Sequence, residues 1–285
     1  MPQQLIDAPG KDFRIARFMA TAVDLAYLPS DTGVAAFKEK LGLDATLVSA
    51  INTQAYIGQN ETDIVVAFRG SESPTSIDGL RDWLLTNADN LLVLPEGSIG
   101  TDFAAAGVGT RFHKGFMGAL ADIWDPLFAA VDGAYQKAER RVWVTGHSLG
   151  GALALLAAWR LQRNFIPIHR VYTFGAPMIG NAAAADAFKR EFPDKIYRFV
   201  DKDDLITKLP TMSLTANSYG HCLTEVLLGA EAAAAAEFTA AGGETLDPAA
   251  QDALWTQLTS RITSHFMTNY LARIAAQCPE DGGTA

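Results

Sequence analysis

The chain has 285 residues, of which 49% are hydrophobic and 19% charged, with a formal net charge of −9. A chain of this length buries roughly three quarters of its unfolded surface, so a large core forms without disulfide support. The acidic balance excludes nucleic acid as a partner class and disfavours anionic membranes, while leaving neutral lipid accessible.

The first ten residues, Met1 to Gly10, lack a basic start and an apolar core of about 7–15 residues, so no secretory signal is read there. A cytoplasmic chain is the default expectation, with secretion left open. The longest apolar run lies around Ala152 to Leu161 and is broken by Arg160. No transmembrane segment is expected, since a span needs roughly 20 apolar residues.

Apolar residues at helical spacing, among them Phe13, Ala16, Ala20, Val23 and Tyr27, predict a helix over Asp12 to Leu28. Ala50 to Ile57 reads as a short mixed strand. Asp63 to Phe68 is β-branched and almost wholly apolar, the pattern of a strand buried on both faces. Asp82 to Leu94 reads as a helix running into an extended piece, and Glu96 to Thr110, rich in Gly and Ala, as a loop or insertion. Lys114 to Arg140 is a long helical stretch in which Pro126 marks a start, kink or break.

Arg141 to Thr145 is a β-like run, and Ala152 to Arg163 is strongly helical. His169 to Phe174 and Lys195 to Val200 are further buried strands, with a helix over Asn181 to Phe192 between them. Strands alternating with helices imply an α/β architecture with a mostly parallel sheet. The Ala-rich stretch 231–241 carries no chemistry. Pro248 to Gln277 reads as a long C-terminal helix or pair, and Pro279 to Ala285 as a frayed end. No composition shift divides the chain, so residues 1–285 are read as one domain. Cys222 and Cys278 have no metal-like spacing. They read as two thiols, with a disulfide left open.

The decisive signal is Gly146-His147-Ser148-Leu149-Gly150, with a strand before it and a helix after it. A serine on a tight strand-to-helix turn has a strained backbone and an outward hydroxyl. Small residues two before and two after are required, because a Cβ there would strike the neighbouring elements. The following helix turns its N-terminus, and the Leu149 N–H, toward the place where an oxyanion would develop. This marks Ser148 as a nucleophile.

Further blocks stand in order around this motif: Phe68-Arg69-Gly70-Ser71, Asp82-Trp83, His113-Lys114-Gly115-Phe116, Thr173-Phe174-Gly175-Ala176-Pro177 with Gly180-Asn181, Asp204 to Pro210, and His265. With them the chain resembles the class 3 lipases, the filamentous-fungal triacylglycerol lipase group, over roughly residues 50 to 275. The resemblance implies an α/β-hydrolase fold, with helices flanking a mostly parallel central sheet and a lid segment. It further implies carboxylic ester hydrolysis and neither a metal nor a cofactor.

A serine hydroxyl needs a base, and the base needs an orienting acid. In this fold both follow the serine in sequence. The cluster Asp201, Asp203, Asp204 follows a strand, where the architecture places its chemistry. The spacing to Leu209-Pro210 in the family pattern selects Asp204, with Asp203 next. Among the histidines, His113 and His169 are set aside by order or position, and His221 matches a structural family histidine. His265 fits the family position of the base. The oxyanion donors are then the Leu149 N–H and, by resemblance, the N–H and hydroxyl of Ser71. Arg69 is read as an anchor for that loop.

The family lid begins after Ser71. Here about residues 72–86 carry Ile77, Leu80, Trp83 and Leu84 at helical spacing, one apolar face. Residues 97–110 form a candidate second flap. The expectation is a triacylglycerol lipase working by an acyl-enzyme on a lipid or ester substrate, at a lipid–water interface when the lid moves. Short-chain esterase, feruloyl esterase and phospholipase A1 are the neighbouring alternatives, and a non-catalytic binding protein of the same fold the distant one.

Overall fold

The computed structural model describes residues 2–70, 92–208, 219–222, 224–229, 256 and 261–278. In chain order the elements are α1 (Phe13–Leu25), α2 (Ser30–Leu41), β1 (Asp44–Ala50), β2 (Thr53–Gln59), β3 (Asp63–Phe68), β4 (Leu92–Val93), α3 (Gly97–Ala104), β5 (Phe112–His113) and α4 (Lys114–Tyr135). They continue with β6 (Arg141–His147), α5 (Leu149–Arg163), β7 (Ile168–Phe174), β8 (Gly180–Asn181), α6 (Ala182–Glu191), β9 (Ile196–Asp201), β10 (Tyr219–Gly220), β11 (Thr224–Leu228) and α7 (Met267–Ala275).

Seven strands form the central sheet in the order β1-β2-β3-β6-β7-β9-β11. β3, β6, β7, β9 and β11 run parallel, and β1 and β2 add an antiparallel edge. The reason lies in the strands' side chains. Every residue of β3 is buried. Ile64, Val66 and Phe68 enter one core with α4 and α5 residues such as Leu120 and Leu156. Val65 and Ala67 enter a second core with α1 residues such as Phe18 and α7 residues such as Tyr270. A sheet covered on both faces rewards continuous apolar strands rather than alternation.

Several elements differ from the sequence expectations. α2 and β1 were not expected, and neither was β11. α2 buries only Gly33, Phe37 and Leu41, and edge strand β1 buries only Val48, so their periodic signals are weak. The stretch from Glu96, expected as a loop, begins with helix α3. That helix is fastened from below: Arg160 Nε donates to Asp102 Oδ2 at 2.7 Å and Trp159 Nε1 to Asp102 O at 2.9 Å. Helix α4 runs through Pro126 without interruption. Its buried stripe of Leu120, Ile123, Leu127 and Val131 outweighs the one backbone hydrogen bond that proline removes.

The C-terminal helix is shorter than expected within the described residues. A 3-10 turn, Ile262–His265, precedes α7, and extended Phe266 separates the two. Cys222 and Cys278 are not joined by a disulfide, and Cys278 Sγ donates to Phe13 O at 3.3 Å. The candidate lid 72–86, the helix expected over 82–94 up to residue 91, the Ala-rich stretch and the frayed end lie outside the described residues. Among the described residues, no helix is long and apolar enough to cross a membrane.

A second, small antiparallel sheet has the order β10-β8-β5-β4. The C-terminal ends of the parallel strands β6, β7 and β9 gather the candidate site.

Candidate active site

Ser148 occupies the single residue between β6 and α5. Its φ of 55° and ψ of −128° are a conformation that side chains with a Cβ seldom adopt, and the cost is of order 1–3 kcal/mol. The strain is held by packing. A Cβ on Gly146 would lie 2.1 Å from Gly150 O, and one on Gly150 would lie 2.5 Å from Arg69 O. The two glycines are therefore fixed by close approach, and the loop leaving β3 lies directly against the start of α5. Ser148 N–H donates to Phe174 O at 3.0 Å, tying the turn to the end of β7. Leu149 opens α5, where a backbone N–H has no intrahelical acceptor.

Asp204 follows β9, and its carboxylate is 1% exposed. Oδ1 accepts from Ile206 N–H at 3.0 Å, which caps the 3-10 turn Leu205–Lys208. Oδ2 accepts from His265 Nδ1 at 2.8 Å and from the Tyr270 hydroxyl at 2.7 Å. Because a carboxylate only accepts, His265 carries its proton on Nδ1. Nε2 is then the unprotonated nitrogen, buried and without a partner among the described residues. Such an imidazole is ready to take a proton from a hydroxyl.

The end of β7 joins these parts. Gly175, at φ 60°, passes so close that a Cβ there would lie 2.9 Å from Asp204 Oδ2 and 3.0 Å from His265 Cε1. The rings of His147 and His265 have centroids 4.6 Å apart. Serine turn, acid and imidazole thus converge from β6, β9 and the segment before α7. The arrangement can activate a serine hydroxyl, hold a developing oxyanion at a helix N-terminus and protonate a leaving group.

The chain belongs to the class 3 lipases. The model of that family, lipase (class 3), matches residues 65–214, over half of the chain. The chain is 30% identical over 161 residues to phospholipase A(1) DAD1, chloroplastic, of Arabidopsis thaliana, covering 53% of this chain and 34% of that protein. It is 31% identical over 172 residues to a lipase of Rhizomucor miehei, covering 58% of this chain and 42% of that protein. It thus spans about a third of the first relative and under half of the second. Among solved structures, a triacylglycerol lipase whose catalytic centre is formed by a serine protease triad superposes with a TM-score of 0.56 at 25% identity, over 74% of this chain and 78% of that one. The fold is that of the α/β-hydrolases, as the resemblance implied.

The other candidates fall elsewhere. Asp203 faces solvent and pairs with Lys202 at 2.6 Å. Asp201 is fully buried and holds Arg273, Asn269 Nδ2 at 2.8 Å and its own loop through Asp203 N–H at 2.9 Å. His113 is buried and caps α4, its Nδ1 accepting from Phe116 N–H at 3.3 Å. His221 donates from Nε2 to Thr207 O at 2.5 Å, and burial with Arg198 nearby holds its imidazole down to about 3. His169 pairs with Asp7 at the opposite end of the sheet. Arg69 Nη2 donates to Asn52 O at 3.2 Å, an anchor for the loop that leaves β3. Ser71 lies outside the described residues; the glycine before it packs against Ser148 Cβ. Tyr270 was not foreseen: it touches Asp204 from 66 residues away, and no local pattern signals that contact.

Proposed function

We propose that this chain is a serine carboxylic ester hydrolase of the lipase type, acting on acylglycerols through an acyl-enzyme. Ser148 Oγ attacks the ester carbonyl carbon while His265 Nε2 takes its proton. Asp204 orients His265 and balances the imidazolium charge. The Leu149 N–H and Ser71 bind the oxyanion. His265 then protonates the departing alcohol, and water repeats the sequence to release the fatty acid. Residues 72–86 serve as a lid at a lipid–water interface, within one catalytic domain. The observation that carries this reading is the buried His265, bound through Nδ1 to Asp204 with Nε2 left open, its ring 4.6 Å in centroid distance from that of His147, the residue before the strained Ser148.

The test is hydrolysis of p-nitrophenyl esters from acetate to palmitate, with tributyrin and triolein emulsions in parallel, by wild type and Ser148→Ala. Turnover by wild type that falls at least about a thousandfold in the variant supports the reading. An equally active variant overturns it. The Arabidopsis phospholipase relative supports a second reading, phospholipase A1 activity. Release of the sn-1 acyl chain from phosphatidylcholine in preference to acylglycerol cleavage would select that reading.

A further inference from the structure

Beside the site runs a chain of hydrogen bonds that the triad chemistry does not use. His147 Nε2 lies 2.6 Å from the main-chain oxygen of His265. A carbonyl oxygen only accepts, so Nε2 carries the proton. In the neutral ring Nδ1 must then accept, and its partner is the Tyr27 hydroxyl at 2.9 Å. The direction of the whole chain is thereby fixed: Tyr27 donates to His147, and His147 donates to the backbone of the base. Burial above all, with His265 packed beside it, holds the His147 imidazole well below its ordinary range, which keeps Nδ1 free to accept. Burial likewise pushes the Tyr27 phenol above its ordinary range, which keeps its proton in place.

The Tyr27 oxygen has a second neighbour. A Cβ on Gly70 would lie 2.2 Å from Tyr27 Oη and 2.9 Å from the main-chain oxygen of His147, so the loop leaving β3 is pressed between the Tyr27 side chain and the His147 backbone. The Gly70 backbone amide also favours negative charge on that oxygen. Tyr27 stands just after α1 and is 120 residues from His147. It therefore links three separate pieces of the site: the loop that leads to Ser71, the residue before Ser148, and the main chain of His265.

We infer that Tyr27 is a positioning residue that acts through His147, holding the loop of the oxyanion donor and the backbone of the base in register with Ser148. The inference rests on the serine hydrolase reading above. Tyr27 neither transfers a proton nor binds substrate. Its effect falls on the geometry of the reacting groups, where misplacement by about 1 Å is costly.

The experiment compares wild type, Tyr27→Phe, His147→Phe and the double variant on a soluble p-nitrophenyl ester, with active sites counted by a p-nitrophenyl phosphonate. Counting removes any loss due to unfolded protein. Tyr27→Phe is expected to lower kcat per titrated site about 5- to 20-fold, with KM within about twofold of wild type. The rate of phosphonylation falls by the same factor. In the His147→Phe background, Tyr27→Phe has a clearly smaller effect than in wild type, because the part relayed through His147 is already lost and only the Gly70 contact remains. An unchanged kcat in Tyr27→Phe, a change confined to KM, or independent effects in the double variant each overturn the inference. Should His147→Phe not fold, the kcat and phosphonylation rate of Tyr27→Phe decide alone. A wild type without ester turnover overturns the hydrolase reading, and this inference with it; an active wild type with an unaffected Tyr27→Phe overturns only this inference.

Discussion

Tyr270 donates its hydroxyl to Asp204 Oδ2 at 2.7 Å, on the same carboxylate oxygen that accepts His265 Nδ1. The hydroxyl is itself fixed, since it accepts from Asp201 N–H at 3.1 Å. Asp201 in turn is held by Arg273 and Asn269, both from α7. Asp204, the proposed acid, is thus tied to the helix that follows His265, the proposed base.

Tyr270→Phe removes one of three donors to a buried carboxylate. Loss of a hydrogen bond to a charged group costs about 1.5–3 kcal/mol. Part of that appears as lost stability. The rest appears as a kcat lowered about 3- to 30-fold, because Asp204 no longer holds His265 at one angle. Steady-state kinetics with a soluble ester, alongside urea unfolding, separates the two. Wild-type kcat and stability together would show that the hydroxyl does not orient the acid.

Acid sensitivity follows from the buried histidines. His221 is held near 3 in the folded chain against an ordinary 6.5, by burial first and Arg198 second. Below about pH 6.5 the unfolded chain binds a proton at this residue that the folded chain refuses. The unfolded state therefore binds more protons, and stability falls as pH drops from about 6.5 toward 3. His147 shifts in the same direction. Urea midpoints measured between about pH 7 and 5, above the carboxylate range, should decline toward acid. His221→Gln should flatten the decline by less than about 1.4 kcal/mol per pH unit, the limit for one proton. An unaltered slope would mean that His221 takes up its proton in the folded state.

What could be read in advance follows from physical locality. The strand Asp63 to Phe68 was legible because burial on both faces leaves no polar position to dilute the pattern. Ser148 was legible because a strained turn demands Gly146 and Gly150 at fixed offsets. Asp204 and His265, the candidate acid and base chosen from chain order and from the family blocks, are hydrogen-bonded to each other at 2.8 Å. The supporting shell was not legible: Tyr27 meets His147 across 120 residues and Tyr270 meets Asp204 across 66. Tyrosine after a helix, or within one, reads as ordinary core until the fold supplies its partner. α2 and β1 were missed for the opposite reason, since most of their residues face solvent and impose little periodicity.

At the other end of β3 from the site, Asp63 closes a separate polar network. Its side chain is 1% exposed. It accepts from Arg141 Nε at 2.8 Å and Nη2 at 2.9 Å, from Trp143 Nε1 at 2.7 Å and from Thr62 Oγ1 at 2.6 Å. Asp63 and Arg141 are also register partners in the β3–β6 pair. Asp63→Ala leaves the buried Trp143 N–H without its acceptor and removes the carboxylate paired with Arg141. Arg141 is partly exposed and keeps Asp7 at 3.3 Å, so the main cost is the unsatisfied buried Trp143 N–H, about 1–3 kcal/mol. The expected result is a urea midpoint shifted down accordingly, with kcat per folded molecule unchanged because β3 delivers its far end, Phe68, to the site. A fall in kcat as large as the fall in stability would mean that the two ends of the strand are coupled, and that the polar network beneath the sheet also sets the geometry above it.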